Sequence, residues 1–141
     1  MQGKTSQRSV AGCAVRKAQA SDLESCNALY RRVHGFYRSA ELTHAIQQGT
    51  ATIVEREGRV TGYASELSFI GHATAETNFD LKALLASAET FGGPGILVPN
   101  RNSELFRWCL SNGLRVVQPL TLMTAGLYNE PAGAWLPGIL Y

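Results

Sequence analysis

Residues 51–67, ATIVEREGRVTGYASEL, constrain the fold of this chain more than any other stretch. Apolar and small residues alternate approximately with polar ones on either side of the pair Glu57-Gly58, a pattern typical of two half-buried β-strands joined by a tight turn. Amphipathic helical patterns precede and follow this hairpin along the chain. The hairpin is therefore predicted to lie in the middle of a β-sheet.

Composition limits the class of protein. A chain of 141 residues with 45% hydrophobic content has the size of one ordinary domain with its own core. The 13 basic and 11 acidic residues are interspersed and leave a formal charge of +2, without the clustered positive charge that nucleic-acid binding needs. The longest apolar runs are far shorter than the ~20 residues of a membrane span, and the N-terminus is polar. We expect a soluble cytoplasmic protein with no nucleic-acid or membrane partner.

The cysteines and histidines form no disulfide or metal-site pattern. The three cysteines are scattered and include no CxxC pair, so reduced thiols are expected. The three histidines are too far apart along the chain to predict a metal site by spacing. The residues in question are Cys13, Cys26, Cys109, His34, His44 and His72.

Capping boxes and helix stops divide the chain into elements. The boxes are Ser21 with Glu24 and Thr77 with Asp80, and the helix from residue 102 is dense in large apolar residues, which predicts deep burial. In chain order we predict a disordered leader at 1–12, a strand at 13–18, helices at 21–34 and 39–48, the hairpin extended to residue 70, a strand at 72–75, a helix from 77 to the stop at 91–94, a strand at 96–98, a helix at 102–112, and a long strand at 114–127 broken at Pro119.

The C-terminal tail, residues 128–141, has more apolar residues than a solvated terminus needs. It is predicted to dock on a surface, either its own or a partner's. Its apolar residues are Trp135, Leu136, Ile139 and Leu140. Residues 13–141 are thus predicted to form one domain that includes this tail.

This order of elements predicts an α/β (α+β) fold with a mixed, largely antiparallel central sheet and helices on both faces. The strand VRKA, the hairpin VEREGRVTGYA and the block LVPNRNSELFRWCLSNGLRVV resemble the GNAT N-acetyltransferase superfamily. More narrowly, FIGHATAETNFDLKALL and LTLMTAGLY are similar to the C-terminal half of bacterial proteins that carry two GNAT-like halves in tandem. The resemblance implies the GNAT fold from about residue 13 to residue 128.

The resemblance also implies where a cofactor would bind. In the family, a glycine-containing loop after the fourth strand holds the pyrophosphate of acetyl-CoA with its backbone N–H groups. The corresponding residues here contain no glycine, and Glu76 and Asp80 place negative charge at the same helix start. We therefore expect a degenerate site and no bound cofactor. The loop residues are Ala75, Glu76, Thr77 and Asn78.

Two residues are candidates for proton transfer, and three for a pocket. The resemblance implies that Glu66 matches a carboxylate that relays the amine proton, and that Cys109 matches the tyrosine that serves as general acid. An exposed strand carboxylate and a buried core thiol are the alternative interpretations. The pocket candidates, which can equally be core residues, are Tyr30, Tyr63 and His72.

Two function hypotheses follow from the resemblance. The first is a non-catalytic GNAT-like module that acts in binding or dimerisation. The second is an active acyl-CoA-dependent N-acetyltransferase that acts on a small amine and binds acetyl-CoA through an atypical loop. The expected partner is a second copy of the chain, paired through the long final strand and the apolar tail, or a separate GNAT-like domain, and a small-molecule ligand is compatible with either hypothesis.

Overall fold

The computed structural model of this chain describes residues 1–5 and 9–139. A short 3₁₀ turn, Ala20–Asp22, precedes the first helix. In chain order the strands and helices are β1 (Gln2–Gly3), β2 (Ala14–Lys17), α1 (Leu23–His34), α2 (Ser39–Gln47), β3 (Thr52–Arg56), β4 (Arg59–Ala64), β5 (Ala73–Ala75), α3 (Asn78–Ser87), α4 (Ser103–Ser111), β6 (Leu114–Arg115) and β7 (Ala134–Leu136).

The main sheet has five strands in the order β2-β3-β4-β5-β7, and each neighbouring pair is antiparallel. β1 and β6 form a separate antiparallel pair. The predicted hairpin is therefore confirmed, and its strands β3 and β4 lie in the middle of the sheet. No helix within the described ranges combines the length and the apolar content that crossing a bilayer requires.

Backbone geometry at the hairpin explains why these residues form it. Glu57 and Gly58 both have positive φ, 55° and 73°, as a two-residue type I′ turn requires. Further along, Val54 pairs with Gly62 while Glu55 pairs with Val60, which leaves one extra residue between them in β4. This extra residue makes a β-bulge, which bends the strand and changes the direction of its side chains.

Helices cover both faces of the hairpin. Ile53 and Val54 are adjacent in sequence, point to opposite faces, and are both fully buried. Ile53 belongs to a cluster with residues of α1 and α2, and Val54 to a larger cluster with residues of α3 and α4. The predicted α/β (α+β) architecture is confirmed, but both faces of the hairpin are buried rather than one.

The first helix begins later than predicted, and a different pair forms a capping box at the start of the 3₁₀ turn that leads into it. The carboxylate of Asp22 accepts a hydrogen bond from the backbone N–H of Gln19 at 2.7 Å, and these two residues form the capping box. The predicted box of Ser21 and Glu24 is wrong. Because Asp22 also binds Arg16 of β2, at 2.7 and 2.9 Å, the box ties the helix start to the sheet.

The second hairpin strand does not continue to residue 70. β4 ends at Ala64, and the hydroxyl of Ser68 accepts hydrogen bonds from the backbone N–H groups of Ile70 and Gly71 at 3.3 and 3.0 Å. A serine side chain that takes backbone donors in this way favours a turn over a strand ladder. The predicted strand at 72–75 is confirmed as β5.

The structures of the N-terminal residues and of residues 96–98 both differ from the prediction, and the two segments contact each other. Ile96 exchanges backbone hydrogen bonds with Met1, at 2.8 and 2.5 Å, but residues 96–98 belong to no strand. Gln2–Gly3, within the predicted leader, pairs with β6. Residues 6–8 of that leader, and Leu140 of the tail, lie outside the described residues.

The predicted long strand at 114–127 is wrong beyond Arg115. Only Leu114–Arg115 forms a strand, whereas residues 116–127 are exposed. Pro119 lacks an N–H donor and interrupts a ladder, and β7 already occupies the edge of β5. The tail thus docks on its own chain, where Trp135 and Leu136 are buried.

Helix α4 is only half buried, contrary to the prediction of deep burial. Leu105 and Cys109 are fully buried, while Trp108 is partly buried against the core and Leu110 is 46% exposed. The buried apolar face of α4 is narrow because the helix lies at the edge of the larger core cluster. Truncation of Trp108 should therefore cost less stability than truncation of a fully buried aromatic side chain.

Trp108→Ala is expected to lower the free energy of unfolding by about 1.5 to 2.5 kcal/mol, roughly half of the cost for a fully buried aromatic residue. Urea denaturation measures this change. Leu110→Ala, at the exposed position, is the control and should cost less than about 0.5 kcal/mol. A loss above about 3 kcal/mol for Trp108→Ala would contradict the partial burial of this side chain.

Candidate functional site

The start of α3 is the candidate site, because the sequence resemblance places a cofactor at the loop that leads from β5 into this helix. Thr77 caps the helix, and its hydroxyl accepts a hydrogen bond from the backbone N–H of Asp80 at 3.3 Å. The predicted capping box also requires the Asp80 carboxylate to accept the backbone N–H of Thr77, and no such hydrogen bond is found among the described residues. Asp80 instead turns inward and is fully buried.

The Asp80 carboxylate joins three parts of the fold. It accepts hydrogen bonds from Arg56 at the end of β3 at 2.9 Å, from Thr61 at the bulge of β4 at 2.8 Å, and from the Thr77 hydroxyl at 2.5 Å. Burial alone would raise the pKa of Asp80, but the hydrogen bonds from Arg56, Thr77 and Thr61 outweigh it and lower the pKa. Asp80 is therefore an ionised, structural carboxylate.

Glu76 holds a second negative charge at the same helix start. Its Oε1 atom accepts hydrogen bonds from Arg59 at 2.6 Å and from Arg32 at 2.9 Å. The hydrogen bond from Arg59, with the charges of both arginines, holds the pKa of Glu76 below its usual range against a smaller opposing effect of burial. An anion that approaches this end of α3 would meet an ionised carboxylate.

A shallow cavity of about 440 Å³ lies beside the start of α3. Its lining includes Glu76 and Asn78 at the start of α3 and the tail residues before and within β7. Glu130 in that tail binds Arg101 at 2.6 Å, so the cavity contains two carboxylates and one guanidinium. Asn78 is also occupied, since its amide donates to Asn102 at 3.0 Å.

The tail approaches the sheet closely at this cavity. β7 pairs with β5, and Ala132 donates its backbone N–H to the carbonyl of Val33 at 2.7 Å. A Cβ atom added to Gly133 would lie 2.9 Å from the carbonyl oxygen of Ala75, so only glycine permits this approach. The edge of β5 next to the cavity is therefore covered by the chain itself.

The pocket candidates Tyr30, Tyr63 and His72 do lie together, but in the core. The ring centroids of Tyr30 and His72 are 5.4 Å apart, and the Tyr63 hydroxyl is 2.8 Å from His72 Nε2. All three side chains are exposed by 2% or less, which leaves them no access to a ligand from solvent. They form a packed cluster between the sheet and helices α1 and α2.

Glu41 of α2 and Ser65 complete this cluster. Glu41 Oε1 lies 3.0 Å from His72 Nδ1, and the Ser65 hydroxyl donates to the same Glu41 oxygen at 3.2 Å. The hydrogen bonds assign the histidine tautomer: Nδ1–H donates to Glu41, and Nε2 accepts from the Tyr63 hydroxyl. The result is a continuous Glu41–His72–Tyr63 chain that runs from the partly exposed helix α2 into the core.

The pKa values in this cluster follow from burial. Burial lowers the pKa of His72 and raises that of Tyr63, so both groups are neutral at neutral pH. Burial would also raise the pKa of Glu41, but His72 and the ion-paired Arg38 outweigh it and lower the pKa. The hydrogen-bonded chain of Glu41, His72 and Tyr63 therefore links α2 to the sheet, and Tyr63 at its inner end is fully buried.

Sequence reasoning missed Arg38, Glu41 and Ser65 as members of the cluster. The spacing of Arg38 and Glu41, three residues apart at the start of a helix, is a signal for an ion pair but not for a contact with His72. That contact spans 31 residues and arises only when α2 packs on the sheet.

The two candidates for proton transfer are not brought to one site. Glu66 lies beyond the end of β4 and is exposed, so its predicted place on the strand is wrong. Cys109 is fully buried in the larger core cluster, and burial raises the pKa of its thiol to about 11. Residues 1–5 and 9–139 contain no group of three or more side chains placed to hold a metal ion.

Comparison with known proteins identifies the fold. No family model and no curated protein matches this sequence. Among solved structures, a GNAT-family acetyltransferase from Bacillus cereus ATCC 10987 is similar, with a TM-score of 0.55 and 18% sequence identity over 77% of this chain and 88% of that chain. The chain therefore has the GNAT fold, as the sequence resemblance implied.

Proposed function

We propose that this chain is a non-catalytic module of the GNAT fold that acts through association with another protein chain. The observation that carries the proposal is the start of α3. There Glu76 and Asp80 are each bonded to an arginine of the same chain, and Thr77 caps the helix. A loop of this kind lacks the glycines that let a backbone approach a pyrophosphate closely, and the Asp80 N–H at this helix start is already taken by Thr77.

Charge at the neighbouring cavity supports the same proposal. Glu76 and Glu130 both line it, and each is already paired with arginine. A pyrophosphate placed there would be repelled by two carboxylates, or it would have to displace them from their arginines. Either route reduces affinity for a coenzyme A ester.

The arrangement of the proton-transfer candidates also supports a non-catalytic role. A general base must come within about 3 Å of the proton that it removes. Cys109 is enclosed in the core, whereas Glu66 is exposed beyond β4. The hydrogen-bonded chain of Glu41, His72 and Tyr63 has its inner end closed to solvent.

One observation favours the alternative, an acyltransferase with an atypical cofactor loop. Three guanidinium groups surround the start of α3, and arginine binds phosphate oxygens well. Their present partners are carboxylates, which a phosphate would have to replace. The groups are Arg32, Arg59 and Arg101.

Acetyl-CoA is expected to bind no more tightly than about millimolar, a free energy near −4 kcal/mol. Isothermal titration calorimetry of the full chain measures this affinity, with titration into buffer as the blank. Glu76→Gln tests the charge argument. It removes one carboxylate charge and frees two arginines, so any residual affinity should increase in this variant.

Micromolar affinity in the wild-type chain would contradict the proposal and favour the acyltransferase. In that case release of free thiol from acetyl-CoA in the presence of small amines decides whether the chain is active. Binding without thiol release would leave a module that senses the cofactor and does not use it.

A further inference from the structure

We propose that residues 116–127 are the association surface, and that their partner is the same segment of a second copy of this chain. This inference rests on the proposed function and specifies its partner. The segment is mainly apolar and exposed: Met123 is 84% exposed and Leu127 98%. Val116, Val117, Leu120 and Leu122 are each about half exposed. Contiguous exposed apolar residues of this kind mark interaction surfaces.

The backbone of the segment is also unpaired within the chain. Within residues 1–5 and 9–139, no backbone–backbone hydrogen bond involves residues 116–127. Between Pro119 and Gly126 lie six residues, LTLMTA, which contain no proline and so have every N–H available for pairing. Six residues is the usual length of a β-strand, and a free strand is a template for pairing with another chain.

A groove of about 650 Å³ runs beside the segment. Leu120, Leu122, Phe106 and Ile139 are among the residues that line it. Within the described residues, Trp135 of the tail lines the groove and is itself buried, so it belongs to the lining. The groove is thus an apolar recess into which side chains of a paired strand can project.

The distribution of charge favours a second copy as the occupant. No acidic or basic residue lies between Arg115 and Glu130, so two copies of the segment do not repel each other. If two segments pair antiparallel about a two-fold axis near Leu122 and Met123, the Arg115 end of each copy approaches the Glu130 end of the other. The segment is therefore complementary to itself, as an isologous interface requires.

Charge substitutions at Met123 test this pairing. Met123 is so exposed that Glu or Lys should not disturb the fold, which circular dichroism checks. Sedimentation equilibrium of the full chain should show a wild-type dimer. Met123→Glu and Met123→Lys should each weaken dimerisation more than tenfold, because like charges then meet near the axis, and an equimolar mixture of the two variants should restore it.

Ile70→Glu is the matched control. Ile70 is also an exposed apolar residue, at 60%, but it does not line the groove, so this variant should remain dimeric. A monomeric wild-type chain overturns the inference and leaves the surface to a different protein or an apolar ligand. A dimer that is unaffected by charge at Met123, or a mixture that does not recover, equally overturns it. None of these outcomes depends on acetyl-CoA, whose titration tests the proposed function separately.

Discussion

Asp80→Ala is expected to destabilise the protein by about 3 to 5 kcal/mol, the range for removing one partner of a buried ion pair. Asp80 is fully buried, and its carboxylate accepts hydrogen bonds from Arg56, Thr61 and Thr77. Without it, the guanidinium of Arg56 loses its buried partner and keeps only the exposed Glu57 at 3.8 Å, and the buried hydroxyl of Thr61 loses its acceptor. The hairpin and α3 would then lose the buried polar link between them, and only the surface ion pair of Arg59 with Glu76 would remain beside the apolar contacts.

Urea denaturation of the wild-type protein and of Asp80→Ala measures this loss of stability. Asp80→Asn keeps the shape of the side chain but not its charge, so it should lie between the wild type and Asp80→Ala. Glu104→Ala is the matched control, because it removes an acidic residue whose bond to Lys82 is at the surface, and it should change stability far less. Equal effects of Asp80→Ala and Glu104→Ala would show that the buried network contributes little.

Stability is expected to fall as the pH is lowered from about 6.5 to about 4, and His34 accounts for much of the loss. Burial, with smaller contributions from His72 and Arg38, lowers the pKa of His34 from 6.5 to about 4. Its ring stacks on Tyr30 at 4.2 Å, and Nε2 lies 3.1 Å from the Thr74 hydroxyl. The native state therefore keeps this ring neutral.

The sign of the effect follows from proton linkage. Between pH 6.5 and 4 the unfolded chain protonates this histidine while the native protein does not, so acid favours the unfolded state. At about 1.4 kcal/mol for each pKa unit, the loss approaches about 3 kcal/mol once the pH is below 4. Above pH 6.5 both states carry a neutral ring, and the contribution vanishes.

Urea midpoints across pH 4 to 8 measure this dependence. His34→Gln keeps a polar group beside Thr74 but cannot titrate, so its stability should depend less steeply on pH than that of the wild type. The remaining dependence includes His72, whose pKa is also lowered by burial. Identical slopes for the wild type and His34→Gln would contradict the assignment to His34.

The sequence by itself determined the order and type of most elements. The positive-φ turn at Glu57-Gly58, the αL cap at Gly35 and the Asn102 cap of α4 are local features that a few neighbouring residues decide. Such features depend on the conformational freedom of glycine and on side chains that reach their own backbone. The hairpin and all four helices could therefore be predicted before the fold was known.

Only the tertiary structure decided which strands reach the sheet. Residues 96–98 and 116–127 have the apolar composition of strands, yet neither joins the main sheet, while Ala134–Leu136 in the tail does. A strand exists only where a neighbouring edge is free, and competition for the edge of β5 is not visible in local sequence.

The roles of individual polar residues likewise depended on contacts distant in sequence. Asp80 was expected to act at its own helix start, but its principal partner is Arg56, 24 residues away. His72 and Tyr63 were candidates for a pocket or for the core, and the contact of His72 with Glu41, 31 residues away, joins them in one hydrogen-bonded chain. Sequence alone indicates that a polar residue in an apolar stretch needs a partner; only the packing of α2 and α3 on the sheet determines which partner is within hydrogen-bond distance.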